Sequence, residues 1–135
     1  MRERNNATGP KVLSALVALL ALTGAAAPIR TGLFVGNGPM GHSATEWIRL
    51  THDSPELDVT FVDAVSITNG TLDRIELFVM PGGSSIREKK DFGPEGIRLF
   101  KEFLRRGGGY IGTCAGCSFL MDDATDPERG TGVIP

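Results

Sequence analysis

Two thiols in this 135-residue sequence stand in a setting that favours chemistry, Cys114 and Cys117 in Gly112-Thr113-Cys114-Ala115-Gly116-Cys117. The Gly-x-Cys-x-Gly portion has the spacing of a nucleophile elbow, a sharp strand-to-helix turn that lifts one side chain above the end of a sheet. Such a turn needs small residues two positions before and after the nucleophile, and glycine stands at both. Cys114 is the candidate nucleophile; thiolate is the reactive form, and a thiol at the positive end of a helix ionises more readily. Attack on a carbonyl creates an oxyanion that needs backbone donors. The N–H of Ala115 is one candidate, and Gly82 or Gly83, after the preceding apolar run, is the second. A Gly-Gly pair also serves as a plain turn, and a buried cysteine as inert packing.

An elbow also needs a base. His42 and His52 are the only histidines. His42, in a Gly-rich loop after the first strand, falls at the end of the sheet where open α/β sheets bind ligands, so it is the accessory candidate; His52 is expected at the opposite end. Cys114 and Cys117 also form a C-x-x-C pair, so Cys117 is a candidate resolving thiol for a sulfenic acid or disulfide on Cys114. Asp122, Asp123 and Asp126 read as a solvated turn, since their spacing fails the EF-hand pattern. Nothing calls for a metal or a cofactor. Arg87-Glu88-Lys89-Lys90-Asp91 reads as an exposed loop placed to cover the site.

The elements around these residues read as βα units, which predict a mainly parallel sheet. Leu33-Phe34-Val35 is a first strand, ended by Gly36-Asn37-Gly38-Pro39. Ser43 is read as the cap of a helix over 44–50, with Glu46 completing a capping box and Trp47, Ile48 and Leu50 buried. Residues 57–62 alternate as an edge or half-covered strand does, and residues 75–80 are apolar enough for a central strand. A helix is expected from Pro94 to Arg106, with Ile97, Phe100 and Leu104 inward and Gly107 as its left-handed cap. Residues 110–113 form the strand that enters the elbow, and Val133 and Ile134 hint at another.

Residues 1–27 read as a signal peptide. Arg2, Arg4 and Lys11 flank an apolar run from Val12 to Leu22, followed by small residues up to Ala27. That run is short for a bilayer span, and no Cys follows it to carry a lipid anchor. A secreted or periplasmic protein is expected, with residues 28–135 as its single domain and no stable membrane span after processing. The formal net charge of −2 gives no basic footprint for nucleic acid. A small-molecule substrate or ligand is the expected partner, and the oligomeric state stays open. A doubly wound sheet that stops just past its elbow lacks strands on one side, so the domain is expected to be incomplete at its C-terminus.

Phe78-Val79-Met80-Pro81-Gly82-Gly83, followed after a helix by Gly107-Gly108-Gly109-Tyr110-Ile111-Gly112-Thr113-Cys114-Ala115-Gly116, resembles the amino-terminal domain of biotin-protein ligases and of secreted bacterial relatives. Asn37-Gly38-Pro39 shares the resemblance, which covers residues 31–121. It implies the class I glutamine-amidotransferase-like superfamily, a flavodoxin-like three-layer α/β fold, Cys114 at the nucleophile position and Gly82-Gly83 as the oxyanion loop. It does not imply biotin ligation, because the ligase active site lies in a separate domain. True glutaminases follow the elbow with Leu-Gly-x-Gln, where this chain has Ala115-Gly116-Cys117-Ser118. Their triad His and acidic residue fall beyond Pro135. No His follows Cys114 as in the related intracellular proteases, and no Glu follows the first strand as in the chaperone and deglycase branch. Three functions follow: a Cys114-dependent attack on an amide or related carbonyl, a non-catalytic small-ligand pocket, and a thiol redox module.

Overall fold

The computed structural model of the chain describes residues 26–121 and 126–134; most of the expected signal peptide, with Asp122 and Asp123, lies outside them. Four strands form one parallel sheet in the order β2-β1-β3-β4, with β1 at Ile29–Phe34, β2 at Leu57–Val62, β3 at Leu77–Met80 and β4 at Gly109–Gly112. This is the strand order of a flavodoxin-like α/β sandwich. β1 begins at Ile29 rather than Leu33, because every residue from Ile29 to Phe34 pairs with one from Leu57 to Val62. The polar run Arg30-Thr31-Gly32 hides that pairing from an apolar pattern. β3 is central as expected, with Phe78, Val79 and Met80 buried, and β2 is an edge strand with Phe61 exposed.

Helix α1, Gly41–His52, connects β1 to β2. The chain then reverses direction across the sheet, through α2 (Ala64–Thr68) and a 3₁₀ turn, to reach β3, and through α3 (Ser85–Arg105) to β4. With the right-handed crossovers that parallel strands take, α1 lies on one face of the sheet and α2 and α3 on the other, where those two helices contact each other. α4, Ala115–Leu120, follows the turn at Cys114 and packs on α3. The short α2 escaped the sequence reading, although Asp63 and Ser66 form a reciprocal capping box. These bonds hold the Asp63 carboxyl below its ordinary range, the Ser66 backbone N–H acting most strongly.

Two expectations about helices are corrected. α1 starts at Gly41, so Ser43 lies inside it and caps nothing. Trp47 is only half-buried and Ile48 and Leu50 are exposed, while Thr51 is the buried residue of α1. The second correction concerns residues 87–91, which are the first turns of α3 and not a loop. The buried residues of α3 are Ser85, Glu88, Phe92, Gly96, Phe100 and Phe103, a spacing of three and four that makes a single inward stripe. Glu88 stands on that stripe, so helix periodicity overrides its charge. Gly93 (φ 61, ψ 176) breaks the helical path, and Pro94 restarts it as expected for a residue without an N–H to leave unpaired.

At its far end α3 closes as predicted at Gly107 (φ 94). The Gly107 N–H donates to Leu104 O and the Gly108 N–H to Phe103 O, the paired bonds of a Schellman cap. The core is largely aromatic. Phe92 touches Phe34 and Phe119 at centroid distances of 5.0 and 4.9 Å, and Phe78 meets Phe100 at 5.2 Å. Near the C-terminus the hint of a strand reduces to one parallel bridge between Met121 and Ile134. Among the described residues, no helix is long and apolar enough to cross a membrane.

Candidate functional site

The turn between β4 and α4 has the geometry its glycines require. Cys114 adopts φ 53 and ψ −111, and it is the only non-glycine residue with positive φ among the described residues. Such a conformation costs about 1–3 kcal/mol and persists only where its surroundings hold it. A Cβ on Gly116 would lie 2.5 Å from Met80 O, and one on Gly112 would lie 2.7 Å from the Gly116 carbonyl carbon. Larger residues would push the turn off the end of β3. The Thr113 N–H donates to Met80 O (3.1 Å) and the Tyr110 hydroxyl to Gly116 O (2.6 Å), which ties the turn to the sheet. Burial, with the neighbouring Glu88 and Cys117, pushes the Tyr110 phenol well above its ordinary range, so it stays a donor.

The loops after β1 and β3 meet beside this turn, at the place where the strand order reverses and open α/β sheets bind ligands. Pro39 and Gly83 form an antiparallel bridge; the Met40 N–H donates to Gly82 O and the Ser84 N–H to Gly38 O, each at 3.1 Å. Gly82 is buried against this turn, and a Cβ there would lie 3.0 Å from Cys114 Cβ. The Gly82 N–H donates to Ser43 Oγ at 2.6 Å. Among the described residues, the N–H groups of Gly83 and Ala115 make no hydrogen bond. A hollow of about 380 Å³ opens here, lined by Cys114, Ala115, Gly83, Ser85, Ser118 and Arg129. Another, of about 360 Å³, is lined by Leu72, Arg106 and Gly108 at the opposite end of the sheet and holds neither thiol nor imidazole.

Both cysteines are exposed and unbridged, and the Cys117 thiol donates to Gly112 O at 3.0 Å. His42 sits in the first turn of α1 and not in a loop; it is exposed and its imidazole has no hydrogen bond or ion pair among the described residues. His52 is at the other end of α1, paired with Asp53 at 3.2 Å. Neither imidazole is bonded to Cys114. Asp126 belongs to a turn, accepting from the Glu128 N–H at 3.2 Å and lying 3.7 Å from Arg129.

Three residues belong to the site or its support in ways the sequence reading missed. Ser43 and Trp47, one turn apart on α1, reach its two sides: Ser43 receives the Gly82 N–H, and Trp47 Nε1 donates to Thr113 Oγ1 at 3.2 Å. Their spacing of four was the available signal, since it puts both on one face. The third is Glu88, fully buried one turn below Ser84, with no hydrogen-bond partner for either carboxylate oxygen among the described residues. Burial pushes its carboxyl up to about 7.

A family model described as biotin-protein ligase, N terminal, matches residues 34–124, more than half of the chain. No curated protein and no solved structure matched. The matched span contains Cys114, the Gly82-Gly83 loop and Ser43, and on that match the chain belongs to the biotin-protein ligase N-terminal family.

Proposed function

We propose that the protein is an exported amidotransferase-like domain in which Cys114 attacks the carbonyl carbon of a small polar amide or related compound. The observation that carries this reading is the Cys114 backbone, held at φ 53 and ψ −111 with an exposed thiol at the mouth of a hollow. A strained conformation at a reactive side chain is retained where presentation of that side chain matters. As the thiolate adds to the carbonyl carbon, the C=O electron pair moves to oxygen. The Gly83 and Ala115 N–H groups are the donors left to receive that charge. The thiol releases its proton to solvent; collapse then expels the amine, which takes a proton back from solvent, and leaves a thioester for water to hydrolyse. The sequence left the choice between Gly82 and Gly83 open; the bond from Gly82 to Ser43 favours Gly83.

Thiol alkylation tests the reading. Cys114 should react faster than a free thiol at neutral pH, and Cys114→Ala should abolish that reaction. A rate equal to that of glutathione would refute it. Export rests on residues 1–27 and is tested by N-terminal sequencing, which should find mature protein starting near Ala27 outside the cytoplasm. A second reading, a thiol redox module, is favoured by one observation: Cys117 is exposed beside the elbow, its thiol on Gly112 O. Mild oxidation followed by mass spectrometry would then yield a Cys114–Cys117 disulfide, and its absence excludes that role.

A further inference from the structure

The hydroxyl groups of α1 are used in two ways. Thr45 and Thr51 donate theirs to the carbonyls four residues back, Gly41 O and Trp47 O, each at 2.7 Å, and Ser54 just beyond the helix does the same to Leu50 O. This is the ordinary use of a hydroxyl in a helix. Ser43 departs from it. Its oxygen is an acceptor, taking the Gly82 N–H at 2.6 Å, and among the described residues nothing accepts its hydrogen. A hydroxyl has one hydrogen to donate as well as lone pairs to accept. The hydroxyl lies beside the Cys114 turn: Ser43 Oγ and Cys114 Cβ are 3.2 and 3.0 Å from the single point where a Gly82 Cβ would stand.

We propose that Ser43 is a positioning residue for Cys114: anchored by the Gly82 N–H, its hydroxyl donates a hydrogen bond to the Cys114 thiolate. The inference rests on the reading of Cys114 as a nucleophile. Ser43 therefore has two tasks, holding the Gly82 N–H away from the hollow and favouring the charged sulfur. Hydrogen bonds to ionised groups are among the stronger ones in proteins.

The test compares wild type, Ser43→Ala and Ser43→Thr, all carrying Cys117→Ala so that a single thiol reports. The rate of alkylation by iodoacetamide is followed across the thiol titration range. Ser43→Ala should slow the reaction at neutral pH roughly tenfold, equivalent to about 1.4 kcal/mol, and leave the limiting rate at high pH unchanged. Its pH profile should move to higher pH, and Ser43→Thr, which keeps the hydroxyl, should restore it. Superimposed profiles for wild type and Ser43→Ala would overturn the role, as would an equal loss at every pH, which marks a structural effect. These failures leave the reading of Cys114 intact. A wild-type thiol no faster than glutathione would instead sink that reading, and the role of Ser43 with it.

Discussion

Glu88 makes the stability of this protein depend on pH in an unusual direction. Its carboxyl is fully buried, neither oxygen has a hydrogen-bond partner among the described residues, and burial raises it from 4.5 to about 7. Below pH 4.5 the native and unfolded chains both hold the proton, and the favourable neutral state is fully present. Between 4.5 and about 7 the unfolded chain releases a proton that the native chain keeps, so stability falls as pH rises. At about 1.4 kcal/mol per pH unit, the loss totals roughly 3 kcal/mol and is complete above neutrality. Exposed carboxyls such as Asp63 and Glu76, lowered by the Ser66 N–H and by the Arg30 side chain respectively, act in the opposite sense. Glu88→Gln keeps the shape and removes the titration. Urea unfolding of both proteins from pH 4.5 to above 7 should give stability curves that diverge by roughly 3 kcal/mol, the variant gaining on wild type as pH rises. With slopes of about 1–3 kcal/mol/M, that is a shift of about 1–3 M in the relative midpoints. Parallel curves would refute the assignment of Glu88 as a proton-holding buried group.

Two further substitutions, one of them with a control, test the surroundings of Cys114. A Cβ on Gly83 would meet Gly38 O and lie 2.8 Å from both Met40 N and Pro39 Cα, all backbone. Gly83→Ala should therefore cost about 1–3 kcal/mol in urea unfolding and slow Cys114 alkylation; Gly41→Ala, which meets nothing within 4 Å, should leave stability unchanged or slightly raised. Trp47→Phe removes the bond from Nε1 to Thr113 Oγ1 and should cost about 1 kcal/mol by circular-dichroism-monitored unfolding; an unchanged midpoint would show that α1 does not brace the elbow.

The parts legible in the sequence were those set by near neighbours along the chain. Glycines two residues either side of Cys114 announce a turn too tight for side chains, and the contacts of Gly112 and Gly116 bear this out. Pro94 restarting α3 and the left-handed Gly107 closing it follow from the dihedral preferences of single residues. Alternating and continuous apolar runs separated the edge strand β2 from the central β3.

What the tertiary structure decided lies between residues distant in sequence. Ser43 looked like a cap by its local pattern, yet its oxygen belongs to Gly82, 39 residues away, and Trp47 reaches Thr113 across 66. Such pairings depend on which face of the sheet a crossover helix takes and how far it is rotated, and no short window of residues carries that information. Glu88 makes the same point through burial: its charge is a property of the residue, but its exposure is set by a stripe of α3 that must face the sheet to bury Phe92 and Phe100. A chain determines its local turns by steric limits on each residue, whereas the partners of Ser43, Trp47 and Glu88 emerge only when the elements close on a common core.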